Sequence, residues 1–409
     1  MRRKIPFVPI LIFALVFLSI NGYALNVLAP IIAAPVLPWL WAFPISLLGV
    51  FSFSVVRLSV DGFNTMFKIS AHTLLVYFVS LLVLILTALL TDIYRLATAS
   101  INYLAKGNFS YAERPLNAIY LGMLLSLLII LAFIYGIFKG KYAYRVIKHT
   151  LHFDDLPHVF DGFKVVQISD VHAGSLKNPK AVQKGINLIN RQQADLFVFT
   201  GDLVNNKAEE IKPYLNHFSQ IKAPFGQFSV LGNHDYGDYT AWPNNAAKRE
   251  NLEQLKKYHA QIGFRLLLDE HVEIKKDDQK ITLAGVENWG LGFGERGDLE
   301  KALRGTTKDD FKILLSHDPT HWEAQVKKHA SKIQLTLAGH THGMQFGIEA
   351  FGLKWSPVQF RYKHWAGVKK ENNRFLNVNR GFGFIGFSGR VGIWPEITVI
   401  ELRKAKTTT

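Results

Sequence analysis

Between Lys4 and Arg57 the chain runs for 52 residues without an acid or a base. A water-soluble surface does not tolerate such a run, and a single membrane helix needs only about 20 residues of it. Asn21, Gly22, Asn26, Pro30, Pro35 and Pro38 punctuate the middle. A turn there leaves spans near 6–22 and 36–56, the second needing neighbouring helices to satisfy carbonyls freed by its prolines. Two further uncharged stretches, Ile69–Thr91 and Pro115–Phe138, are long enough to cross and rich in Leu, Ile, Val and Phe. Tyr23, Trp39 and Trp41 fall near expected span ends, where amphipathic rings favour the interface. Residues 1–150 are therefore expected to form a transmembrane region of four helices.

Charge divides the chain at the same place. Residues 1–150 carry 12 Lys/Arg against 3 Asp/Glu, while 151–409 carry 35 against 29 and alone are composed like a soluble domain. Arg2, Arg3, Lys4, Arg57, Lys68, Lys139, Lys141, Arg145 and Lys148 share one side of a four-span path; Arg95, Lys106 and Arg114 lie on the other. The positive-inside rule makes this an integral inner (cell) membrane protein with its second part in the cytoplasm. Arg2-Arg3 as a twin-arginine export signal is the competing reading; missing flanking residues and three further spans disfavour it. The basic run Lys139–Lys148 reads as a topology signal and a contact for anionic lipid rather than for nucleic acid. The bilayer is thus an expected partner and nucleic acid is not; nothing in the sequence sets an oligomeric state. His72, inside the third span, reads as a packed or interfacial histidine rather than a proton relay, and Asp92 lies just past that span's end. With no cysteine, disulfides, thiolate metal sites and a cysteine nucleophile are excluded.

Residues 151–162 (LHFDDLPHVFDG) read as a linker leaving the membrane, with a soluble domain over 163–409. Here short apolar runs alternate with amphipathic ones, the pattern of a mixed α/β fold. Five runs end alike: FKVVQIS precedes Asp170-Val171-His172, DLFVFT precedes Gly201-Asp202, and QFSVL precedes Gly232-Asn233-His234-Asp235; KILLS precedes His317-Asp318-Pro319, and IQLTLA precedes Gly339-His340-Thr341-His342. Ligands of α/β sheets collect outside the carboxyl ends of strands, so five strand ends can converge on one site. Asn178-Pro179 signals a helix start. Further helices are expected at 208–221, 246–261 and 319–330, and strands at 281–286, 374–379 and 397–402.

Asp, Asn and neutral His are oxygen and nitrogen ligands suited to Mn, Fe or Zn. If extended, Asp170 and His172 point the same way, and His340 and His342 repeat the arrangement. Seven such groups are too many for one tetrahedral ion but suit two divalent ions sharing a carboxylate, a device for cleaving phosphoryl bonds. Two carboxylates against two such ions leave a net positive site that favours a phosphate anion.

In this order DxH, GD, GNHD, a strand-end His and GHTH resemble the calcineurin-like metallophosphoesterases. Asn379-Arg380-Gly381 and Pro395-Glu396-Ile397 look like the bacterial membrane-associated branch. The resemblance implies a two-sheet β-sandwich flanked by helices. It implies that Asp170, His172 and His342 bind one ion, that Asn233, His317 and His340 bind the other, and that Asp202 bridges. His234 would stabilise or protonate the leaving oxygen, Asp235 would orient it, and water activated by the ions would attack in line. Met344, where this branch often has glycine, and Asn205, where aspartate is frequent, depart from the pattern.

Bland readings hold elsewhere. Asp318 reads as an N-cap to the following helix. His217, His259, His321 and His329 read as surface groups on helices; His271 and His364 have no assignment. Gly292–Gly297 and Gly381–Gly386 both fit GxGxxG, but neither precedes a helix as a dinucleotide fingerprint requires, so both read as loops bordering the site. Glu287, Asn288, Trp289 and Arg296 in the first are weak candidates for substrate contact. The expected function is membrane-anchored, dinuclear-metal hydrolysis of a phosphodiester or pyrophosphate, with a lipid-linked substrate favoured by the anchor. A soluble nucleotide or diester is the alternative substrate. A sensor that only binds a phosphorylated ligand is the alternative class, disfavoured by His234, which pure binding does not need.

Overall fold

The computed structural model describes residues 7–61 and 64–405. The chain divides into two compact units, Met1–Tyr135 and Gly136–Thr409.

The first unit is helical: Phe7–Leu28, Ala42–Asp61, Thr65–Lys106, and Leu116–Phe138, which ends just beyond it. Four segments are long and apolar enough to cross a membrane. The second is not one continuous helix. Short turns over Ala34–Leu40 precede the helix from Ala42, with a break near Trp41 between Pro38 and Pro44, as expected where proline removes a donor and crowds the preceding turn. The third has 42 residues, about 63 Å at helical rise, twice the apolar thickness of a bilayer. It starts at Asn64, whose side chain accepts the Phe67 N–H, and stops at Gly107, with φ 67°. Asp92 is therefore inside this helix rather than past its end. Its carboxylate meets Arg95, Arg114 and the Tyr23 hydroxyl at 2.6, 2.5 and 2.7 Å, so the acid holds both arginines in one group and offsets one of their two charges. Arg2, Arg3 and Lys4, which carry part of the topology reading, lie outside the described residues.

In the second unit β1 (Arg145–Phe153), β2 (Phe163–Ile168), β3 (Leu196–Thr200), β4 (Gln227–Val230) and β5 (Arg265–Leu266) are followed by β6 (Glu270–Lys276), β7 (Gln279–Gly285), β8 (Lys312–Leu315) and β9 (Leu335–Ala338). A hairpin of β10 (Ile348–Ala350) and β11 (Leu353–Trp355), then β12 (Gly367–Glu371), β13 (Arg374–Val378) and β14 (Glu396–Lys404) complete it. The strands form two six-stranded sheets, ordered β1-β14-β2-β3-β4-β5 and β12-β13-β9-β8-β7-β6. The β2-β3-β4 and β7-β8-β9-β13 neighbours are parallel.

Strand alternation builds the layers. Phe163, Val165, Leu196 and Val198 face a shared interior with Ile281, Leu283, Ile313 and Leu335 of the other sheet. Val166, Ile168, Phe197 and Phe199 face outward onto Val182, Ile186 and Ile189 of helix Pro179–Asn190 and Leu255 of helix Asn245–Gln261. On the far side Leu314, Ala338 and Leu376 meet Leu299, Trp322 and Val326. This is the expected sandwich flanked by helices. Truncating a central leucine such as Leu283 to Ala would cost ~2–5 kcal/mol.

Two expectations need correction. Residues 151–162 are not simply a linker, because Leu151–Phe153 end strand β1, which pairs in parallel with β14 along its whole length. Arg145 and Lys148, taken as topology charges, belong to that edge strand. The regions expected as helices at 208–221 and 319–330 are instead mostly short 3₁₀ and single α turns, interrupted by Pro213 and a break at Gln325.

Candidate metal centre

The loops after β2, β3, β4, β8 and β9 meet at the carboxyl ends of these strands, three from one sheet and two from the other. A buried polar seam fixes the two sheets just beneath them. The Gln167 amide donates to the Thr200 hydroxyl at 3.0 Å and, across the sandwich, to the Ala338 carbonyl at 2.8 Å, while the Asn377 amide donates to Gln167 Oε1 at 2.8 Å. Gln167 is three residues before Asp170, and Ala338 two before His340.

Two groups of donor atoms result. In one, His172 Nε2 and His342 Nε2 are 3.0 Å apart and His342 Nε2 lies 3.2 Å from Asp170 Oδ1. In the other, His340 Nδ1 lies 2.9 Å from Asn233 Oδ1 and 3.2 Å from His317 Nε2. Asp202 Oδ2 stands between, 3.5 Å from His172 Nε2 and 3.2 Å from His317 Nε2. All seven side chains are at least nine-tenths buried. Lewis bases brought this close in a dry interior repel unless a cation is shared, and Asp170 Oδ1 has no hydrogen-bond partner. The donor set, oxygen and imidazole without sulfur, fits divalent ions.

The backbone at these positions is unusual. Asp170, His172, Asp202, His340 and His342 have φ of 54°, 46°, 62°, 70° and 51°. Left-handed non-glycine residues each cost about 1–2 kcal/mol and cluster at functional sites. The expectation that Asp170 and His172 sit in an extended segment is thus corrected: the chain turns at both. Small neighbours permit this crowding. A Cβ at Gly232 would meet Asp202 Oδ1 at 2.2 Å, and one at Gly339 would meet Ser169 Oγ at 1.9 Å.

A surrounding layer sets which ring nitrogen faces inward. His317 Nδ1–H donates to the Thr200 carbonyl at 2.7 Å, leaving Nε2 for the site. His340 presents Nδ1 because its Nε2 lies 2.9 Å from the Tyr362 hydroxyl and 3.3 Å from Asp318 Oδ2. Asp318 also caps its turn, Oδ1 accepting the Thr320 N–H and hydroxyl at 2.8 Å each, so the N-cap reading covers only half its role. The Asn233 amide donates to Tyr239 at 2.8 Å, turning its oxygen inward. Arg390, fully buried, donates to the Gly383 carbonyl and comes within 3.2 Å of His342 Nδ1. Burial alone would depress His317, yet the Asp202 carboxylate outweighs it and raises the imidazole to about 10. A proton is held there by the same charge that would hold a cation.

His234 is half-buried at the rim, its ring 5.0 Å from that of His172. Asp235 does not orient it. His234 Nδ1–H donates to the Asn205 carbonyl at 2.8 Å, which leaves Nε2 uncommitted. Asp235 faces the interior and accepts four backbone N–H groups, from Asp202, Leu203, Val204 and Gly232. Burial and the Asp202 charge push its carboxyl up to about 7, while the N–H donors favour the ionised form.

Other expectations sort as follows. Asn205 serves through its carbonyl, its side chain bonding Ser175. Met344 is exposed with φ 54°, a conformation suited to glycine. His259 and His321 are fully buried, against Ser229 and Ser316, rather than on the surface. Glu287 accepts from Tyr236, Asn288 closes its own loop, and Arg296 pairs with Asp238; from this loop it is Phe293 that reaches the site, its ring 4.6 Å from His340. The second glycine run backs the first ligand loop, Phe382 and Gly383 N–H donating to the Ser169 and Asp170 carbonyls. The two tail motifs are partners, Arg380 pairing with Glu396. Tyr239, Tyr362 and Arg390 carry no sequence signal of their role.

Residues 163–344 match the family described as calcineurin-like phosphoesterase, and residues 3–141 match one described as probable calcineurin-like phosphoesterase, transmembrane domain. An uncharacterised metallophosphoesterase of Bacillus subtilis is 30% identical over 275 residues, covering 66% of this chain and 89% of that one. A zebrafish (Danio rerio) transmembrane protein with metallophosphoesterase domain is 26% identical over 281 residues, 66% of this chain and 60% of its own. An uncharacterised metallophosphoesterase of Aquifex aeolicus is 27% identical over 267 residues, 64% and 93%.

Proposed function

The chain belongs to the calcineurin-like phosphoesterases and is a metal-dependent hydrolase linked to a membrane, and from that premise we propose that it cleaves a phosphodiester or pyrophosphate with two divalent ions, on a lipid-linked substrate. Asp170, His172 and His342 would hold one ion, Asn233, His317 and His340 the other, and Asp202 both. The observation carrying this is the position of Asp202 Oδ2 within 3.5 Å of a ring nitrogen from each group. Mn, Fe or Zn suits these donors. When bound, such ions polarise phosphoryl oxygens and make water a nucleophile near neutral pH.

The chain's own residues do the rest. His317, His340 and His342, each oriented from behind, would present fixed ring nitrogens to the ions. His234, its Nδ1–H committed to the Asn205 carbonyl, offers Nε2 to the leaving oxygen and in its protonated state supplies the proton. A rim carrying Phe293, Tyr239 and Met344 suits a substrate with an apolar part. The Lys/Arg asymmetry supports an inner-membrane protein whose catalytic unit faces the cytoplasm.

The test uses detergent-purified full-length chain and two substrates, a soluble nitrophenyl diester and a phosphodiester lipid in mixed micelles. The expected result is chelator-sensitive turnover of both, with higher kcat/KM for the lipid. Turnover of the soluble ester alone would leave the nucleotide or diester alternative; metal-loaded protein turning over neither would favour the sensor.

A further inference from the structure

The catalytic unit exposes few large apolar side chains, and most lie in one place. Beyond the last span there are seven among the described residues, of which Met344, Ile348, Phe351, Leu353 and Phe360 fall within 17 residues. Phe351 is the extreme case, 107% exposed. It sits with Gly352 at the tip of the β10–β11 hairpin, both with left-handed φ, 53° and 80°. Two-residue hairpin turns of that geometry normally take Asn-Gly, because a side chain without a local hydrogen bond is strained there. A phenylalanine that strains its turn and is fully exposed gains nothing from packing in its own unit.

Residues 350–370 carry Lys354, Arg361, Lys363, Lys369 and Lys370, of which Lys363 and Lys369 face Glu371 at 4.0 and 3.9 Å, while Glu349 at the hairpin's base pairs with Arg380. An exposed apolar tip followed in sequence by Lys354 and Arg361 is the composition of an interfacial membrane anchor.

The hairpin's base shows where it stands. The Gly347 N–H donates to the Val391 carbonyl at 3.0 Å. The adjoining Arg390 N–H donates to the carbonyl of Gly136 at 3.1 Å, in the last turn of helix Leu116–Phe138. A Cβ at Gly136 or Gly140 would strike the Arg390 carbonyl at 2.5 or 2.6 Å. The hairpin's base and Gly136 thus bond to the same segment, Arg390-Val391, within the second unit. From its other end, Ser356 donates to the Gly343 carbonyl in the metal-ligand loop, and Tyr362 contacts His340.

We propose that this hairpin dips into the bilayer holding the chain's own spans, with Phe351, Leu353 and Phe360 in the headgroup–acyl boundary and Lys354 and Arg361 on anionic headgroups. Tyr362, on the segment leaving the hairpin, contacts His340, so a lipid held at the tip would stand on the segment that borders the metal site. The membrane contact itself holds whatever the substrate.

The chain has no cysteine, so one introduced residue is a unique label. Full-length protein in vesicles of phosphatidylglycerol and phosphatidylcholine would carry a nitroxide at Phe351→Cys, at Leu353→Cys, or at Asp309→Cys, an exposed control before β8 at the opposite strand ends. Expected is an oxygen-to-nickel-chelate relaxation ratio several-fold higher at 351 and 353 than at 309, falling when phosphatidylglycerol is omitted. Equal nickel accessibility at all three positions would overturn the proposal. So would shielding of 351 from both reagents, which would mean a protein contact. Because the readout is depth rather than turnover, it separates this failure from failure of the proposed substrate class.

Discussion

Asp235→Asn tests how the site is assembled. Asp235 Oδ1 accepts the N–H groups of Leu203 and Val204 at 2.8 and 3.2 Å; Oδ2 accepts those of Asp202 and Gly232, both at 2.9 Å. The carboxylate thus clamps the loop bearing Asp202 to the loop bearing Asn233. In the amide, one oxygen is replaced by an NH₂ group facing two buried N–H donors. Two orphaned donors at about 1–3 kcal/mol each give a loss of about 2–6 kcal/mol. For a unit of this size the melting midpoint should fall by roughly 5–20 °C. The assay is a tryptophan-fluorescence melt of full-length protein in detergent, with metal content measured on the same sample. Both should fall, since the Asp202 N–H is among the four. A variant that melts with the parent and keeps its metal while losing turnover would refute the clamp and return Asp235 to orienting His234.

Three further outcomes follow from the geometry. Asp202→Asn should lower metal content more than Asp170→Asn, because Asp202 faces both donor groups; elemental analysis showing two ions retained would refute its bridging role. His234→Ala should keep metal yet lose roughly 10²–10⁴-fold in turnover, more for alkyl than for nitrophenyl esters; equal losses across leaving groups would mean His234 acts by positioning. Burial pushes His259 down to about 3 and His321 to about 4. Each stays neutral when folded but protonates on unfolding below about 6.5, so its contribution is full above that pH and is lost as pH falls toward the folded value, at about 1.4 kcal/mol per unit each. His259→Phe should flatten the acid limb of a denaturation-versus-pH profile by about one proton, and an unchanged slope would contradict the burial argument.

The ligands are legible in the sequence because their chemistry is confined to few residue types, each placed directly after a short apolar run whose burial is equally legible. The runs by themselves give a mixed α/β fold, and the two-sheet sandwich comes from the family resemblance. What is not legible depends on partners distant in the chain. Strand β1, RVIKHTLHF, is half-exposed at a sheet edge and begins within a basic run, so its charges read as membrane topology. A truncation at 155 would strip it from β14. Asn205 takes the orienting role expected of Asp235, because a carboxylate beside a histidine gives no hint that four N–H groups lie closer. His259 and His321 occupy the inward faces of their turns, where a hydroxyl from Ser229 or Ser316 makes imidazole tolerable. Local spacing carries neither fact, nor the left-handed turns at the ligands.

The central claim is that two ions, shared through Asp202, carry out hydrolysis. Metal titration of chelator-stripped, full-length protein, with bound metal and nitrophenyl-diester turnover measured on the same samples, tests it most directly. Two ions per chain should bind, with turnover appearing as the second site fills and vanishing on chelation. Full turnover with one ion bound, or turnover that survives chelation, would contradict it.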